Sequence, residues 1–171
     1  ARYLAKRHGL KRIIIVDFDL HHGNGTQHSF YADSGIMYFS THQYPYYPGT
    51  GYFDEVGEGE GKGYTVNVPL SYGMNDADYV YVFKNLLVPI TDLFKPEAVL
   101  VSAGFDTHHN DPLGGMGVTE AGYTTMTRIL LDIAKKHSKG RALFALEGGY
   151  DINGLTNSVK AVVLEMKGAS M

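Results

Sequence analysis

The chain has 171 residues, a formal net charge of −3 and no cysteine. The length fits a single domain, and the near-neutral charge provides no bulk attraction to nucleic acid or to an anionic membrane. Because cysteine is absent, disulfides, a thiol nucleophile and cysteine zinc sites are excluded, and His, Asp and Glu remain as the possible metal ligands.

Apolar runs alternate with helical patterns along the chain. Strands are predicted where short runs rich in β-branched or aromatic residues lie between Gly, Pro, Asn or Asp, which are residues 12–18, 36–41, 64–70, 98–103 and 142–146. Helices are predicted for residues 1–8, 25–31, 76–94, 119–137 and 152–167, with Asn75 as an N-cap and a kink at Pro89. This alternation predicts a three-layer α/β fold with a mainly parallel sheet, whose sites lie beyond the C-terminal ends of the strands.

The stretch VDFDLHHGNGT, residues 16–26, follows the first predicted strand. Asp17, Asp19 and His21 alternate by two, and side chains two apart in an extended segment point the same way. Asp19 and His21 can therefore reach one point, and Asp106, which ends the fourth strand, is the best candidate for a third ligand. Two carboxylates and one imidazole suit catalytic zinc and tolerate ferrous iron. A helix cap beside a satisfied histidine is the alternative for this segment alone.

Two short segments that contain glycine lack the spacing of a nucleotide site or of a serine nucleophile. The segment GNGT has His28 where a dinucleotide fingerprint needs its third glycine. The segment around Ser102 has Leu100 where a hydrolase nucleophile elbow needs glycine. Neither a dinucleotide site nor a serine nucleophile is favoured, although a nucleotide-binding α/β domain stays open as a further alternative.

Two aromatic segments have a structural and a functional interpretation. In LEGGYD, residues 146–151, paired glycines let the backbone approach a ligand, and the Tyr150 hydroxyl can donate to a carbonyl oxygen that becomes an oxyanion. The alternative is a tyrosine that fills a loop. The turn THQYPYYPGTG, residues 41–51, is either a surface turn or the wall of a narrow channel.

The sequence has no segment typical of membrane insertion or export. No apolar run approaches the ~18 residues of a membrane span, and no signal peptide is evident. We expect a cytoplasmic protein, or a nuclear one in a eukaryote, without nucleic-acid or membrane partners.

Five motifs occur in a characteristic order, namely DFDLHHGNGT, THQYPYYPGTGYF, YTVNVPL, VLVSAGFDTHHNDPLGGMGVT and LEGGYD. Together they resemble the histone deacetylase and acetylpolyamine amidohydrolase family, and the segments GNGTQHSFY and SAGFD are most similar to class II and bacterial members. The resemblance implies the arginase–deacetylase fold and zinc-dependent hydrolysis of an acetylated protein or a small acetylated amine.

The resemblance also assigns roles by position. It implies zinc ligands at Asp19, His21 and Asp106. It implies that Tyr150 polarises the acetyl carbonyl, that Tyr47 and Gly148 line the substrate channel, and that Asp17 and Asn24 orient catalytic histidines. Two structural potassium sites are implied, the first at Asp17, Ser40 and Thr41 and the second at Phe30, Asp33, Ile36 and Tyr64. Arginase-type members with two manganese ions need further aspartates where this chain has Gly23 and His108, which favours one metal.

The general base of the family is a pair of histidines in a proline- and glycine-rich loop well before the D-x-D-x-H motif. Only 18 residues precede Asp19, and they contain no such loop. We therefore expect residues 1–171 to be the C-terminal part of a deacetylase catalytic domain without its N-terminal strands, impaired in turnover and prone to associate with itself or with that segment. A non-catalytic deacetylase-like binding module and an acetylpolyamine amidohydrolase are the alternatives.

Overall fold

A sheet of five parallel strands forms the centre of the computed structural model, which describes residues 1–168. The strands are β1 (Ile13–Asp17), β2 (Ile36–Gln43), β3 (Thr65–Leu70), β4 (Ala98–Ala103) and β5 (Ala142–Leu146). Their order is β3-β2-β1-β4-β5, and all four pairings are parallel. The five predicted strands are confirmed, because each apolar run contains one strand or overlaps most of it.

The helices of the described residues cover both faces of the sheet. They are α1 (Arg2–His8), α2 (Asn24–Phe30), α3 (Asp76–Val82), α4 (Val88–Phe94), α5 (Glu120–His137) and α6 (Ile152–Gly168). Ile13 and Ile15 of β1 pack with residues of α1 and α2, whereas Ile14 and Val16 pack with the helices α3 to α6. The three-layer α/β architecture is therefore confirmed, and β1 is buried on both faces as a central parallel strand requires.

The predicted kinked helix between residues 76 and 94 is a continuous helical run with an irregular centre. Asn75 caps it, because its side chain accepts a hydrogen bond from the Ala77 amide at 2.9 Å while Asp78 accepts one from the Asn75 amide at 2.9 Å. A π-helical turn, Phe83–Leu87, joins α3 to α4. Pro89 lies in the first turn of α4, directly after this irregular turn, and a proline inside a helical run is a known cause of such an interruption.

The order of the strands places a topological switch point between β1 and β4. The chain proceeds outward from β1 to β2 and β3, and then returns to form β4 on the other side of β1. Asp17, the last residue of β1, is in register with Ser102 of β4. The loops that follow these two strands leave the sheet side by side, which is where parallel α/β sheets bind their ligands.

One edge of the sheet presents apolar side chains to solvent. Leu143 and Leu146 of β5, the last strand in the order, are 55% and 62% exposed. An uncovered edge strand offers unpaired backbone groups to another chain. Self-association, which was expected from the sequence without a defined surface, stays a prediction. No helix of residues 1–168 is long and apolar enough to cross a membrane.

Two buried tyrosines give a paired test of the core. Tyr79 and Tyr123 are both fully buried; the Tyr123 hydroxyl lies 2.7 Å from Thr107 Oγ1, whereas that of Tyr79 has no hydrogen-bond partner among residues 1–168. A buried hydroxyl without a partner costs free energy, and a satisfied one contributes about 1 kcal/mol. We expect Tyr79→Phe to keep or raise the free energy of unfolding and Tyr123→Phe to lower it by about 1 kcal/mol. Urea denaturation measures both, and equal losses would contradict this assignment.

Candidate metal centre

Three side chains converge where the loops after β1 and β4 meet. Asp19 and His21 follow β1, Asp106 follows β4, and their ligand atoms lie within 4.8 Å of one another. In the described part of the chain this is the one such group of three. Asp106 is fully buried, whereas Asp19 and His21 are partly exposed, so the cluster opens to solvent on one side. The structure thus brings together the three residues proposed from the sequence, and their role as zinc ligands stays a prediction.

Backbone amides fix the two carboxylates. Asp106 Oδ1 accepts a hydrogen bond from the Leu20 amide at 2.8 Å. Asp19 Oδ1 accepts one from the His21 amide at 2.8 Å, and its Oδ2 accepts one from the Gly148 amide at 3.0 Å. Charge-assisted bonds of this kind hold the donor set in place before any ligand arrives.

The charge of the cluster favours a cation. His21 Nδ1 lies 3.1 Å from Asp106 Oδ2 and 3.2 Å from Asp19 Oδ1. Hydrogen bonds to Asp106 and Asp19 raise the pKa of His21 to about 10, so the two carboxylates draw a positive charge to Nδ1. The negative charge of the two carboxylates would attract a divalent ion to the point that the three donors share in the same way.

Glycines make room for this arrangement. A Cβ atom at Gly148 would meet carboxylate oxygens of Asp106 and Asp19, and a Cβ at Gly104 would meet Asp19. Only a residue without a side chain fits at either position unless the carboxylates move. Gly148 was predicted from sequence as a channel residue, and the structure places it directly against the donor set.

Aromatic rings flank the imidazole. The ring of Tyr46 stacks on His21 with centroids 5.7 Å apart, and the ring of Tyr47 meets it edge-on at 6.0 Å. The Tyr46 hydroxyl donates to the Leu113 carbonyl at 2.8 Å, which ties the aromatic turn to the loop after β4. The family resemblance assigned only Tyr47 to the channel wall, and no pattern in the sequence shows that both neighbouring tyrosines contact the histidine.

Tyr150 lies on the loop after β5 and is 54% exposed. Partial burial and the negative charges of Asp106 and Asp19 raise the pKa of its hydroxyl above the usual value. The charges of the cluster therefore act on this hydroxyl. It stays protonated at neutral pH and can donate a hydrogen bond.

Asp17 does not join the cluster. β1 ends at Asp17, and the chain bends from Asp19 onward. The Asp17 carboxylate instead accepts hydrogen bonds from the Tyr38 hydroxyl at 2.9 Å and from the Asp19 amide at 3.1 Å. Burial raises the pKa of Asp17 to about 8. Asn24 is exposed at the start of α2.

Hydrogen bonds and strand register connect some of the residues assigned to each cation site. Asp17 is in register with Ser40, and Thr41 Oγ1 lies 3.5 Å from the Asp17 carbonyl oxygen. In the second group, the Phe30 carbonyl accepts a hydrogen bond from the Asp33 amide, and the Asp33 carbonyl accepts one from the Ile36 amide. The Tyr64 carbonyl pairs with the adjacent strand β2.

The other histidines of the two His-His pairs have partners outside the cluster. His22 Nδ1 and Nε2 lie 2.8 Å from Thr50 Oγ1 and 2.9 Å from Gln27 Oε1. His108 is buried with its Nε2 3.6 Å from a Glu120 carboxylate oxygen, and its ring packs on His109 at 4.2 Å.

The buried His42 predicts an acid-sensitive stability. Its Nδ1 lies 2.9 Å from Ser40 Oγ and its Nε2 2.8 Å from the Gly51 carbonyl, and burial together with the neighbouring His22 lowers the pKa of His42 to about 4, against the attraction of Glu55. An unfolded histidine takes up its proton near pH 6.5, so this contribution to stability is present above pH 6.5 and is lost as the pH falls toward 4. Between pH 7.5 and pH 5 we expect a loss of about 2 kcal/mol that His42→Gln lacks. Urea denaturation of both proteins at the two pH values checks this, and identical losses would refute it.

Residues 1–166 match the model of the histone deacetylase domain. This chain belongs to the histone deacetylase family. The family predicted from the five ordered motifs is thereby confirmed.

Relatives of this family span archaea, plants and fungi. The chain is 46% identical to "Probable deacetylase" of Archaeoglobus fulgidus over 153 residues, which is 90% of this chain and 42% of that protein. It is 46% identical to "Histone deacetylase 14, chloroplastic" of Arabidopsis thaliana over 93% of this chain and 38% of that protein. The chain thus spans less than half the length of these curated relatives.

Solved structures share the fold. The histone deacetylase domain of HDA15 has a TM-score of 0.92 and 43% identity, covering 98% of this chain and 47% of that one. The histone deacetylase Clr3 also has a TM-score of 0.92, with 40% identity over 98% of this chain and 29% of that one. The predicted deacetylase fold is therefore confirmed for the described residues.

Proposed function

We propose that the protein is a zinc-dependent deacetylase that hydrolyses the amide bond of acetylated lysine side chains. The observation that carries this proposal is the convergence of Asp19, His21 and Asp106 at the switch point between β1 and β4. The names of relatives such as "Histone deacetylase 14, chloroplastic" favour an acetylated protein as substrate. An acetylated small amine is the alternative substrate, and a non-catalytic binding module is the alternative function.

The donor set fits zinc. Two carboxylates and one imidazole balance a divalent charge, and the partly exposed side of the cluster leaves access for a substrate. When bound there, zinc supplies Lewis acidity for hydrolysis of the amide. Ferrous iron accepts the same ligands and is the alternative metal.

The protein side chains then bind and orient the substrate. The protonated Tyr150 hydroxyl donates a hydrogen bond to the acetyl oxygen and stabilises the negative charge that develops on it. The rings of Tyr46 and Tyr47 beside His21 flank the apolar methylene chain of the acyl-lysine and exclude water from it.

We assign the general base to none of the described residues. His22 and His108 are engaged away from the cluster, and His21 belongs to the donor set. The 171 residues alone are therefore proposed to turn over slowly, since a general base typically contributes ~10²–10⁴-fold. Deacetylation by the isolated chain at the rate of the full-length protein would contradict this assignment.

Potassium is proposed as a structural ion at two places. Burial disfavours the ionised form of Asp17 and raises its pKa to about 8, and a monovalent cation held with Ser40 and Thr41 would stabilise the carboxylate and lower this pKa. The carbonyls of Phe30, Asp33, Ile36 and Tyr64 are the proposed ligands of the second ion. Exchange of potassium for tetramethylammonium is expected to lower the melting temperature, and an unchanged value would refute both sites.

A direct assay tests the proposed function. Acetate release is measured for the full-length protein with an acetyl-lysine peptide and with an acetylated polyamine, before and after removal of metal by a chelator. We expect hydrolysis of the peptide that is lost with the metal and restored by zinc. Hydrolysis of the polyamine alone would favour the amine substrate. A folded, zinc-loaded protein that releases no acetate from either substrate would refute the proposed deacetylase activity and favour the non-catalytic binding module.

A further inference from the structure

We propose that Asp111 is a positioning residue that holds Tyr150 at the Asp19–His21–Asp106 cluster. The inference rests on the proposed function, in which the Tyr150 hydroxyl polarises the acetyl oxygen. Asp111 lies in the loop after β4, outside the donor set, and its role is to fix the backbone from which Tyr150 projects.

The contacts of Asp111 are directed at this backbone. Its side chain is buried, with 7% of the residue exposed. Oδ2 accepts a hydrogen bond from the Tyr150 amide at 2.7 Å and a longer one from the Asp151 amide at 3.3 Å. Oδ1 accepts one from the Leu113 amide at 2.9 Å, which orients the carboxylate. A buried, oriented carboxylate thus binds the amide of the residue that donates to the substrate.

The loop after β5 needs such a contact because its two glycines restrict the backbone little. Gly148 and Gly149 precede Tyr150, and Gly149 has φ +135°, a conformation that favours glycine. The near end of the loop is fixed by the Gly148 amide on Asp19 Oδ2 at 3.0 Å and by the Phe105 amide on the Gly148 carbonyl at 2.8 Å. Asp111 fixes the far end, on the other side of the two glycines.

The ring of Tyr150 cannot fix itself by packing. It is 54% exposed, so few neighbours restrain it. Its hydroxyl position therefore depends on the backbone, and a displacement of about 1 Å in a catalytic group can cost 10²-fold in rate. The hydrogen bond of 2.7 Å from the Tyr150 amide is the contact that determines where the side chain begins.

A capping role for α6 does not account for this arrangement. Asp151 already caps α6, because its Oδ1 accepts a hydrogen bond from the Gly154 amide at 2.6 Å. The shorter bond of Asp111 goes to Tyr150, one residue before that cap. The geometry is that of a residue that positions Tyr150 rather than one that begins the helix.

The substitution Asp111→Asn tests the inference with little change in shape. One oxygen becomes an amide group, so either Leu113 or Tyr150 loses its acceptor or faces another donor. The exposed Asp132 of α5 offers a matched control, Asp132→Asn. The conservative variant Asp111→Glu keeps a carboxylate and serves as a second probe if Asp111→Asn does not fold.

The first readout needs no activity. In protein labelled with nitrogen-15 tyrosine, the Tyr150 amide resonance is identified by its loss in Tyr150→Phe. We expect Asp111→Asn to shift this resonance upfield and to speed its hydrogen exchange, Asp111→Glu to do so less, and Asp132→Asn to leave it unchanged. An unaltered Tyr150 amide in both Asp111 variants would overturn the proposal.

The second readout is kinetic and uses the full-length protein. We expect Asp111→Asn to lower kcat on the order of tenfold with KM within about twofold, and Asp111→Glu to retain more of kcat. In the Tyr150→Phe background the further loss should be below about twofold, because Asp111 acts through Tyr150. An equal loss in both backgrounds would overturn the proposal. If the wild-type protein releases no acetate, the proposed function fails, and the amide readout still decides whether Asp111 holds Tyr150.

Discussion

Asp106→Asn is expected to weaken zinc binding by more than about 100-fold, because loss of a mere supporting contact to a ligand already costs 10–100-fold. Asp106 is fully buried and lies 3.1 Å from His21 Nδ1 through Oδ2. The amide of asparagine has the same shape and its oxygen still accepts the Leu20 amide, so the fold should persist. The variant therefore separates loss of metal from loss of structure.

Zinc content after dialysis and competition with a coloured chelator measure this effect in the isolated chain. Asp54→Asn, at an exposed loop position, is the matched control and should keep one zinc ion per chain. Circular dichroism verifies that both variants are folded. Wild-type zinc affinity in folded Asp106→Asn protein would exclude Asp106 as a ligand.

Tyr150→Phe is expected to lower kcat by about 10²–10³-fold, the usual cost of one donor to a developing oxyanion. Tyr150 is 54% exposed, so removal of its hydroxyl should hardly change stability. It is not a member of the donor set, so zinc content should not change. KM should change little, because the hydrogen bond strengthens mainly in the transition state.

Steady-state acetate release by the full-length protein gives the two kinetic parameters. Tyr81→Phe removes a hydroxyl from another exposed tyrosine, on α3, and should retain the wild-type kcat. A Tyr150→Phe protein with wild-type kcat would show that another group polarises the acetyl oxygen.

The sheet and the convergence of Asp19, His21 and Asp106 could be predicted from the sequence for the same physical reason. Buried parallel strands are short, continuous apolar runs, and their C-terminal ends carry the site. Asp19 and Asp106 each follow such a run, and the strand order places β1 beside β4. Asp19 and Asp106, which are 87 positions apart in the chain, were therefore predicted to lie close together. In the structure both carboxylates contact His21 Nδ1.

The sequence did not predict the contacts that depend on loop geometry. Tyr46 stacks on His21 although only Tyr47 was expected there. Asp111 reaches the Tyr150 amide across 39 positions, and no periodicity links the two. Such contacts follow from how loops fold over one another, which local patterns do not specify.

The most direct test of the central claim is a zinc titration of metal-free full-length protein, followed by the rate of acetate release from an acetyl-lysine peptide. If Asp19, His21 and Asp106 form a single zinc site, activity should rise from near zero and reach a plateau at one equivalent of zinc. Full activity before zinc is added, or a plateau that needs two equivalents, would contradict a single zinc centre at this site.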